Sequence, residues 1–310
     1  MICVTKIDGA TSGTPQTLGY YRDPKTTEYP ISLGKGNEYY NQPIPCVFEQ
    51  FNCMKYLMPQ RNSEEFDFCT NRGILVKMMT SFDFDFMAIK FRGCIYLKIK
   101  SAEESVHKRE VLQRKLKQYL IVNTPCGIPD TNKSLDFNKQ NYGTFSAKLG
   151  KFRLLYTADV IGVENSDPLG DLNDPDVLQQ CKLTLVKLYP SYCQNWMNNY
   201  RMKRWLLQAH LVGIDQIKLA AYTSNGEIPL PITTESCGKL INEQEWCLFN
   251  HMTLLHHFLS EIKEVMSDVD CPYTTYVFEL KNKSVFYECF EGKNKESFLD
   301  QEYIDFVLGS

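Results

Sequence analysis

The sequence predicts a mixed α/β fold, and the alternation of two kinds of apolar pattern carries that prediction. The apolar, β-prone run Lys182–Leu188 predicts a buried strand, and the segment Arg201–Leu211 that follows it has the spacing of an amphipathic helix. Just upstream, Lys151–Val163 predicts another strand, with Asp159 inside its apolar run. Neighbouring strands followed by a helix indicate one mixed α/β body.

The spacing of apolar residues, and the polar or proline-containing segments between them, predict the elements before this central stretch. Residues 46–60 have helix-like spacing, residues 74–80 and 87–100 alternate like strands, and residues 123–144 form a polar loop. Between the strand-like run at 87–100 and this polar loop, we expect a helix that Ser101 caps and that extends to about Val122.

The elements after it follow the same logic. We expect a strand at Gln216–Tyr222, a long amphipathic helix at Trp246–Met266, and a hairpin formed by Tyr273–Leu280 and Ser284–Phe290. Residues 165–176 are rich in turn formers and predict a surface excursion.

Length and composition bound the class of protein. A chain of 310 residues with 43% hydrophobic and 23% charged residues can bury a large core. No linker divides it, so we expect one domain over 1–310, with residues 1–45 as an arm around a body of residues 46–310. The sequence shows neither a signal-peptide pattern nor an apolar run of bilayer length, so we expect an intracellular protein with no membrane partner.

Cysteine and charge patterns narrow the chemistry. The twelve cysteines include no Cys-x-x-Cys, which favours buried thiols over zinc ligands. With a net charge of −3, the protein as a whole has no positive potential that would indicate nucleic-acid binding. Two predicted helices nevertheless carry basic clusters, which are either solvated faces or the two sides of a nucleic-acid cleft: Lys108, Arg109, Arg114, Lys115 and Lys117 on the first, and Arg201, Lys203 and Arg204 on the second.

An ordered set of segments resembles the DXO family of decapping exoribonucleases. The segments that carry the resemblance are LGYYRDPKTTEYP from Leu18, NRGILVKMMT at 71–80, FRGCIYL at 91–97, RKLKQYL at 114–120, LLYTADVIG, KLTLVKL, and KRWLLQAHLVGIDQI at 203–217. They span nearly the whole chain. The resemblance implies a PD-(D/E)xK-like nuclease core of two mixed β-sheets flanked by helices. It also implies a cluster of carboxylates that holds Mg²⁺ or Mn²⁺.

The catalytic positions that the resemblance implies are mostly replaced in this chain. The family's helix glutamate falls at Lys117, its Glu-hydrophobic-Asp motif at Asp159-Val160-Ile161, and its Glu-hydrophobic-Lys motif at Thr184-Leu185-Val186. Asp159 alone of four expected acids remains. The metal ligands left would be Asp159 and the Leu185 carbonyl, which cannot hold two divalent ions, and Lys117 adds a positive charge where a cation should bind. Glu279-Leu280-Lys281 matches the second motif literally but comes too late in the chain.

The RNA-facing positions are better preserved. The resemblance implies that Arg72 and Gly73 form a phosphate-contacting pair, preceded by Asn71 where the family has tryptophan, and that Gln208 contacts the substrate. A surface arginine at position 72 and a core amide at position 208 are the alternative interpretations.

These residues support three hypotheses. The first is a catalytically degenerate pseudonuclease that binds or protects RNA 5′ ends without a metal cofactor through Lys117, Arg72 and Gln208, comparable to the insect protein Cutoff. The second is an active Mg²⁺- or Mn²⁺-dependent decapping nuclease or 5′-to-3′ exoribonuclease that recruits Asp159 or Glu164. The third is a scaffold that binds a protein such as a 5′-to-3′ exonuclease. The resemblance implies a nuclear or cytoplasmic location.

Overall fold

The computed structural model describes residues 2–8, 18–34, 66–80, 83–100, 108–133, 135, 142–172, 174–192, 199–281 and 284–309. Its strands are β1 (Ile2–Asp8), β2 (Tyr20–Tyr21), β3 (Ile31–Ser32), β4 (Phe68–Asn71), β5 (Phe84–Phe91), β6 (Cys94–Ile99), β7 (Ile121–Val122), β8 (Tyr142–Leu149), β9 (Phe152–Asp159), β10 (Gly162–Glu164), β11 (Lys182–Pro190), β12 (Gln216–Tyr222), β13 (Glu227–Ile228), β14 (Thr233–Ser236), β15 (Thr275–Lys281) and β16 (Ser284–Phe290). Its helices are α1 (Arg72–Thr80), α2 (Lys108–Leu120), α3 (Pro175–Gln180), α4 (Asn199–His210), α5 (Cys237–Asn242), α6 (Leu248–Val265) and α7 (Gln301–Gly309).

The strands form two large mixed sheets and one small pair. The larger sheet has the order β1-β8-β9-β4-β6-β5-β15-β16, and β4 runs parallel to both of its neighbours. The second sheet has the order β14-β12-β11-β10-β2-β7, and β13 pairs with β3 separately. This arrangement confirms the predicted fold class of mixed α/β with two mixed sheets flanked by helices.

The chain passes from the first sheet to the second directly after Asp159. Strand β9 ends at Asp159 in the larger sheet, and β10 begins at Gly162 in the second. A side chain at position 162 would place its Cβ only 2.5 Å from the Gly19 carbonyl oxygen, so this crossing requires glycine. The predicted single strand over residues 151–163 is therefore wrong, because it breaks at the crossing.

Helix α4 presents the face that its spacing predicts. Met202, Trp205, Leu206 and Ala209 are all buried. The buried Tyr156 hydroxyl of β9 donates to the Leu211 carbonyl just after the helix. This contact, together with packing against α1, holds the end of α4 close to β9.

The strand predicted at residues 74–80 is wrong, because this segment belongs to α1. Its residues Ile74, Leu75, Val76, Met78 and Met79 are all buried, since the helix packs on the sheet and between α4 and α6. A helix buried on nearly all sides lacks the polar face that reveals helical periodicity in a sequence.

Two other predicted boundaries need correction. The single run at residues 87–100 is a hairpin of β5 and β6 that turns at Arg92 and Gly93, both with positive φ. The polar loop predicted to reach residue 144 ends earlier, because β8 begins at Tyr142. The strands predicted around Lys182 and Gln216, the helix predicted at Trp246–Met266 and the C-terminal hairpin are confirmed as β11, β12, α6 and β15–β16.

Several predictions fall outside the described residues, among them the helix at 46–60 and the cap at Ser101. Of the cysteines that the structure describes, Cys69, Cys94, Cys181 and Cys237 are buried, whereas Cys126, Cys247 and Cys289 are exposed. Among the described helices, none combines the length and the apolar character that a membrane span requires.

Candidate functional site

An ion pair marks the point where the two sheets separate. The Lys117 ammonium of α2 donates to the Asp159 carboxylate at the end of β9, with Nζ and Oδ1 2.5 Å apart. The Asp159 side chain is 44% exposed and that of Lys117 24%, so solvent and ligands can reach the pair. Lys117, at the position where the resemblance predicts a helix glutamate, thus neutralises the Asp159 carboxylate.

Arg72 connects three elements beneath this ion pair. Its guanidinium donates to the Asp159 carbonyl at 2.9 Å and to the Gln208 carbonyl at 3.4 Å. The residue is only 7% exposed. Arg72 therefore holds the end of β9 against the end of α4, and its charge lies under the site rather than on the surface.

Lys187 completes the cluster, and sequence analysis missed it. Its ammonium donates to the Gln208 side-chain carbonyl oxygen at 2.5 Å. Gln113 of α2 hydrogen-bonds to the main chain of β11 on either side of it, at Val186 and Leu188, which brings α2 next to this part of the strand. Lys187, Arg72 and Lys117 around Asp159 are called the cation cluster below.

The structure places Lys187 one residue after the position that the resemblance predicts for the lysine of the Glu-hydrophobic-Lys motif. That motif was placed at Thr184-Leu185-Val186, but Val186 is buried away from Gln208. Reading the motif one residue later puts its lysine at Lys187, which points to Gln208. The signal was present in the sequence, since Leu185-Val186-Lys187 keeps the hydrophobic-Lys part of the pattern.

The charges of the cluster shift the titration of Asp159. Partial removal of its carboxyl from water raises the pKa, whereas the Lys117 ammonium lowers it, both as a charge and as a hydrogen-bond donor. Arg72 and Lys187 lower the pKa further, and the net result is below its ordinary value. At neutral pH the cluster thus holds three cations and one anion, a net charge of about +2.

Two positions at which the resemblance predicts charged side chains, an aspartate at Ile161 and a lysine at Val186, lie in an apolar cluster. Ile161 and Val186 are 2% and 1% exposed and pack together with Leu116 of α2. The members of this cluster, called the α2 apolar cluster below, are Tyr21, Ile31, Leu33, Leu112, Leu116, Leu120, Ile161, Val186, Leu188, Ala220 and Ile228. Hydrocarbon thus occupies the space beside the ion pair where the family resemblance implies further charged groups.

The other two positions on β11 are equally buried. Thr184 is 2% exposed, and its hydroxyl has no hydrogen-bond partner within the described structure. Leu185 is 3% exposed and belongs to the core against which α4 packs, in register with Ile217 of β12.

Asn71 and Gly73 shape the start of α1. The Asn71 side-chain oxygen accepts from the Ile74 amide at 2.9 Å, which is the geometry of a helix N-cap. A Cβ at position 73 would lie 2.9 Å from that same oxygen, so glycine leaves room for the cap. These residues position Arg72, the first residue of α1.

Two further acids considered from the sequence lie in other surroundings. Glu164 makes ion pairs with Lys182 at 2.7 Å and Lys218 at 3.1 Å, and although burial raises its pKa these lysines lower it overall. Glu279 is exposed on β15, where it pairs with Lys281 at 3.4 Å.

The first predicted basic cluster is not a uniform surface. Lys115 is fully buried, and its ammonium donates to the Gln118 side chain and the Thr131 carbonyl, both at 2.8 Å. Lys117 on the same helix faces Asp159 instead. The side chains of Lys108 and Arg109 lie outside the described residues.

Comparison with known proteins shows the family to which this chain belongs. A family model described as RAI1 like PD-(D/E)XK nuclease matches residues 5–304. The chain belongs to this family. The resemblance to the DXO family of decapping exoribonucleases is therefore confirmed at the level of family and fold. Rai1 and Dxo1 proteins are among the proteins similar to this chain.

Individual relatives of this RAI1-like chain are distant. It is 24% identical over 245 residues to the decapping and exoribonuclease protein Rai1 of Drosophila melanogaster, over 73% of this chain and 64% of that protein. It is 22% identical over 201 residues to the protein cutoff of the same fly, over 62% of this chain and 50% of that protein. The chain thus aligns with between half and two thirds of each relative's length.

Solved structures share the fold. The Candida albicans Rai1 in complex with pU5 and Mn²⁺ has a TM-score of 0.74, with 13% identity over 100% of this chain and 97% of that chain. The RNA and the manganese belong to that protein's complex. At this level of identity the similarity shows a common fold.

The residues of the RAI1-like site do not fit the divalent ion that such relatives bind. Mg²⁺ and Mn²⁺ require several oxygen ligands, chiefly carboxylates. Within the described part of the chain, no group of three or more His, Cys, Asp or Glu side chains could hold a metal ion. Asp159 is occupied by Lys117, and Arg72 and Lys187 add repulsion toward a cation.

Proposed function

We propose that this RAI1-like chain is a catalytically degenerate nuclease that binds the 5′ end of RNA and does not cleave it. The observation that carries the proposal is the pairing of Asp159 with Lys117 inside the cation cluster. In this chain fixed cations occupy the place where the family resemblance implies a metal held by acids.

The cation cluster suits a terminal phosphate. Lys117 and Lys187 are partly exposed, and Arg72 adds positive potential from beneath. Gln208 is held by both Arg72 and Lys187, so its position relative to the cations is set before any ligand arrives. Charge-assisted contacts from lysine to phosphate need no metal, so binding should be independent of divalent ions.

The same surroundings argue against hydrolysis. Metal-assisted phosphodiester cleavage needs a metal to activate water and to stabilise the leaving group. The single carboxylate is paired with a lysine, and Ile161 and Val186 bring hydrocarbon to the neighbouring positions. Glu164, which the enzymatic hypothesis would recruit, already makes two ion pairs.

The test is binding of a fluorescent 5′-monophosphate RNA, measured by anisotropy in EDTA and then in Mn²⁺, with cleavage followed on gels. We expect the same affinity in both buffers and an intact RNA. Lys117→Glu should weaken binding in EDTA at least about tenfold, because it replaces a phosphate-binding cation by an anion. Lys295→Glu makes the same change of charge on a side chain that is 86% exposed, and should leave binding unchanged.

Cleavage that requires Mn²⁺ would contradict the proposal and would favour the enzymatic hypothesis. A wild-type protein that binds no RNA would also contradict it and would leave the protein scaffold as the better explanation. If Lys117→Glu and Lys295→Glu weakened binding equally, the RNA would be bound by overall charge and not by the cluster.

A further inference from the structure

Helix α4 carries a second stripe, which lies beside the buried Leu207 and away from Met202, Leu206 and Ala209. Tyr200, Arg204 and Gln208 are spaced by four residues, so they lie along one side of the helix. Eight residues of helix extend about 12 Å, so the stripe leads from Gln208, beside the cation cluster, to Tyr200 near the start of α4. The catalytic-site resemblance accounts for Gln208 and leaves the rest of the stripe without a role.

The two outer residues of the stripe are already in contact. The Arg204 guanidinium lies 5.7 Å from the centroid of the Tyr200 ring, over its face. Tyr200 is 45% exposed, so part of its side chain is accessible to a ligand. Arg204 is half-buried, and its Nε atom is buried without a hydrogen-bond partner in the described structure.

The charge of this face favours one kind of occupant. Helix α4 contains no acidic residue, and Arg201 and Lys203 add to Arg204. The chain as a whole has a net charge of −3, so this basic stretch is local, and it lies on the same helix as Gln208, which Arg72 and Lys187 contact. Single-stranded nucleic acid alternates phosphates with flat bases, and a groove of cations interleaved with aromatic rings binds both.

We propose that Tyr200 and Arg204 form a second RNA subsite, which binds the nucleotides that follow the 5′ end. Arg204 contacts a phosphate, and the ring of Tyr200 stacks on a base. The RNA then runs along α4 away from Gln208. This inference rests on the proposed function, because it takes the terminal phosphate to lie at the cation cluster.

The test compares a short ligand with a long one. Wild-type protein and variants are titrated in EDTA with a 5′-phosphorylated mononucleotide and with a 5′-phosphorylated RNA of about eight nucleotides, within the site size of one single-strand binding module. Arg204→Ala and Tyr200→Ala should weaken binding of the longer RNA by about five- to one-hundredfold and leave the mononucleotide unaffected. Tyr200→Phe keeps the stacking ring and should bind like the wild type.

Arg153→Ala is the matched control for Arg204→Ala. Arg153 is an exposed arginine near the start of β9, about 20 Å along the strand from Asp159, so its loss removes the same charge far from the cluster. It should not change the affinity for either ligand. Thermal unfolding of each variant checks that α4 remains folded.

The possible outcomes separate this inference from the proposed function. If Lys117→Glu abolishes binding while Arg204→Ala and Tyr200→Ala bind the longer RNA normally, the subsite is overturned and the proposed function stands. Equal losses for the mononucleotide and the longer RNA would also overturn the subsite, because they would place Arg204 at the terminal phosphate. A wild-type protein without RNA affinity in EDTA overturns both.

Discussion

At the scale of single residues, the site depends on how one carboxylate is neutralised. Asp159 ends β9 beside a change of sheet, and its nearest cation is Lys117 from α2. Arg72 binds the Asp159 carbonyl and Lys187 binds Gln208, so three cations from different elements converge on one acid. An acid in this field stays ionised, and it cancels only part of the positive charge around it.

This arrangement predicts the titration of Asp159. Lys117→Met should raise the pKa of Asp159, because the largest cause that lowers the pKa is lost while partial burial, which raises it, remains. In the wild type, a depressed pKa means that the ion pair stabilises the fold above the unfolded pKa of about 3.9 and that this contribution disappears as the pH falls through the folded value. The measurement is an NMR titration of the Asp159 carboxyl carbon in both proteins. An unchanged pKa in Lys117→Met would show that the ion pair does not form in solution.

At the scale of elements, α2 gives this site two different surroundings. On one side it presents Lys117 to Asp159, and on the other it presents Leu112, Leu116 and Leu120 to the α2 apolar cluster. Ile161 lies two residues beyond Asp159, on the apolar side of that boundary. Restoring an acid of the family's pattern would therefore place a charge among hydrocarbon.

This boundary predicts the cost of reversion at Ile161. Ile161→Asp should lower the free energy of unfolding by about 3–5 kcal/mol, because an unpaired carboxylate would be buried. Ile161→Val, which removes one methylene from the same place, should cost only about 0.5–1.5 kcal/mol. Urea denaturation of the two variants measures both effects. A stable Ile161→Asp protein that gains Mn²⁺ affinity would instead mean that the family's metal site is still preformed.

At the scale of the whole molecule, a local positive site lies on a chain of net charge −3. Arg204 lies one helical turn from Gln208, which the cation cluster contacts, and several other described lysines are engaged in ion pairs, as Lys218 is with Glu164 and Lys263 with Asp67. RNA should therefore be held by a few phosphate contacts and not by a broad field.

The salt dependence of RNA binding tests this expectation. For two to three phosphate contacts with a single strand, the logarithm of the binding constant should fall with the logarithm of salt concentration with a slope of about −1.4 to −2.1. Anisotropy titrations over a range of KCl concentrations give the slope. A slope steeper than about −5 would indicate a much larger basic surface than the one described, and a slope of zero would exclude phosphate contacts.

Many strands and helices could be predicted from the sequence, because each depends on the spacing of apolar residues within a short segment. Strand β11, the buried face of α4 and the C-terminal hairpin were predictable from apolar spacing over short windows. Helix α1 was not, because it is apolar on nearly all sides and its N-cap, Asn71, is visible as a cap only when the helix is known. The placement of Lys117 and Ile161 at positions where the resemblance predicts acids came from the order of the segments and stays a prediction.

By itself the sequence determined the family and the mixed α/β class, since these follow from residue order. The tertiary structure alone decided that Lys117 pairs with Asp159 and that Lys187 reaches Gln208 while Val186 does not. Neighbouring residues of a strand point to opposite faces, so an error of one residue in register exchanges a cation in the cluster for an aliphatic side chain in the core. Contacts between residues 42 positions apart, such as Lys117 and Asp159, exist only once the sheets and helices have packed.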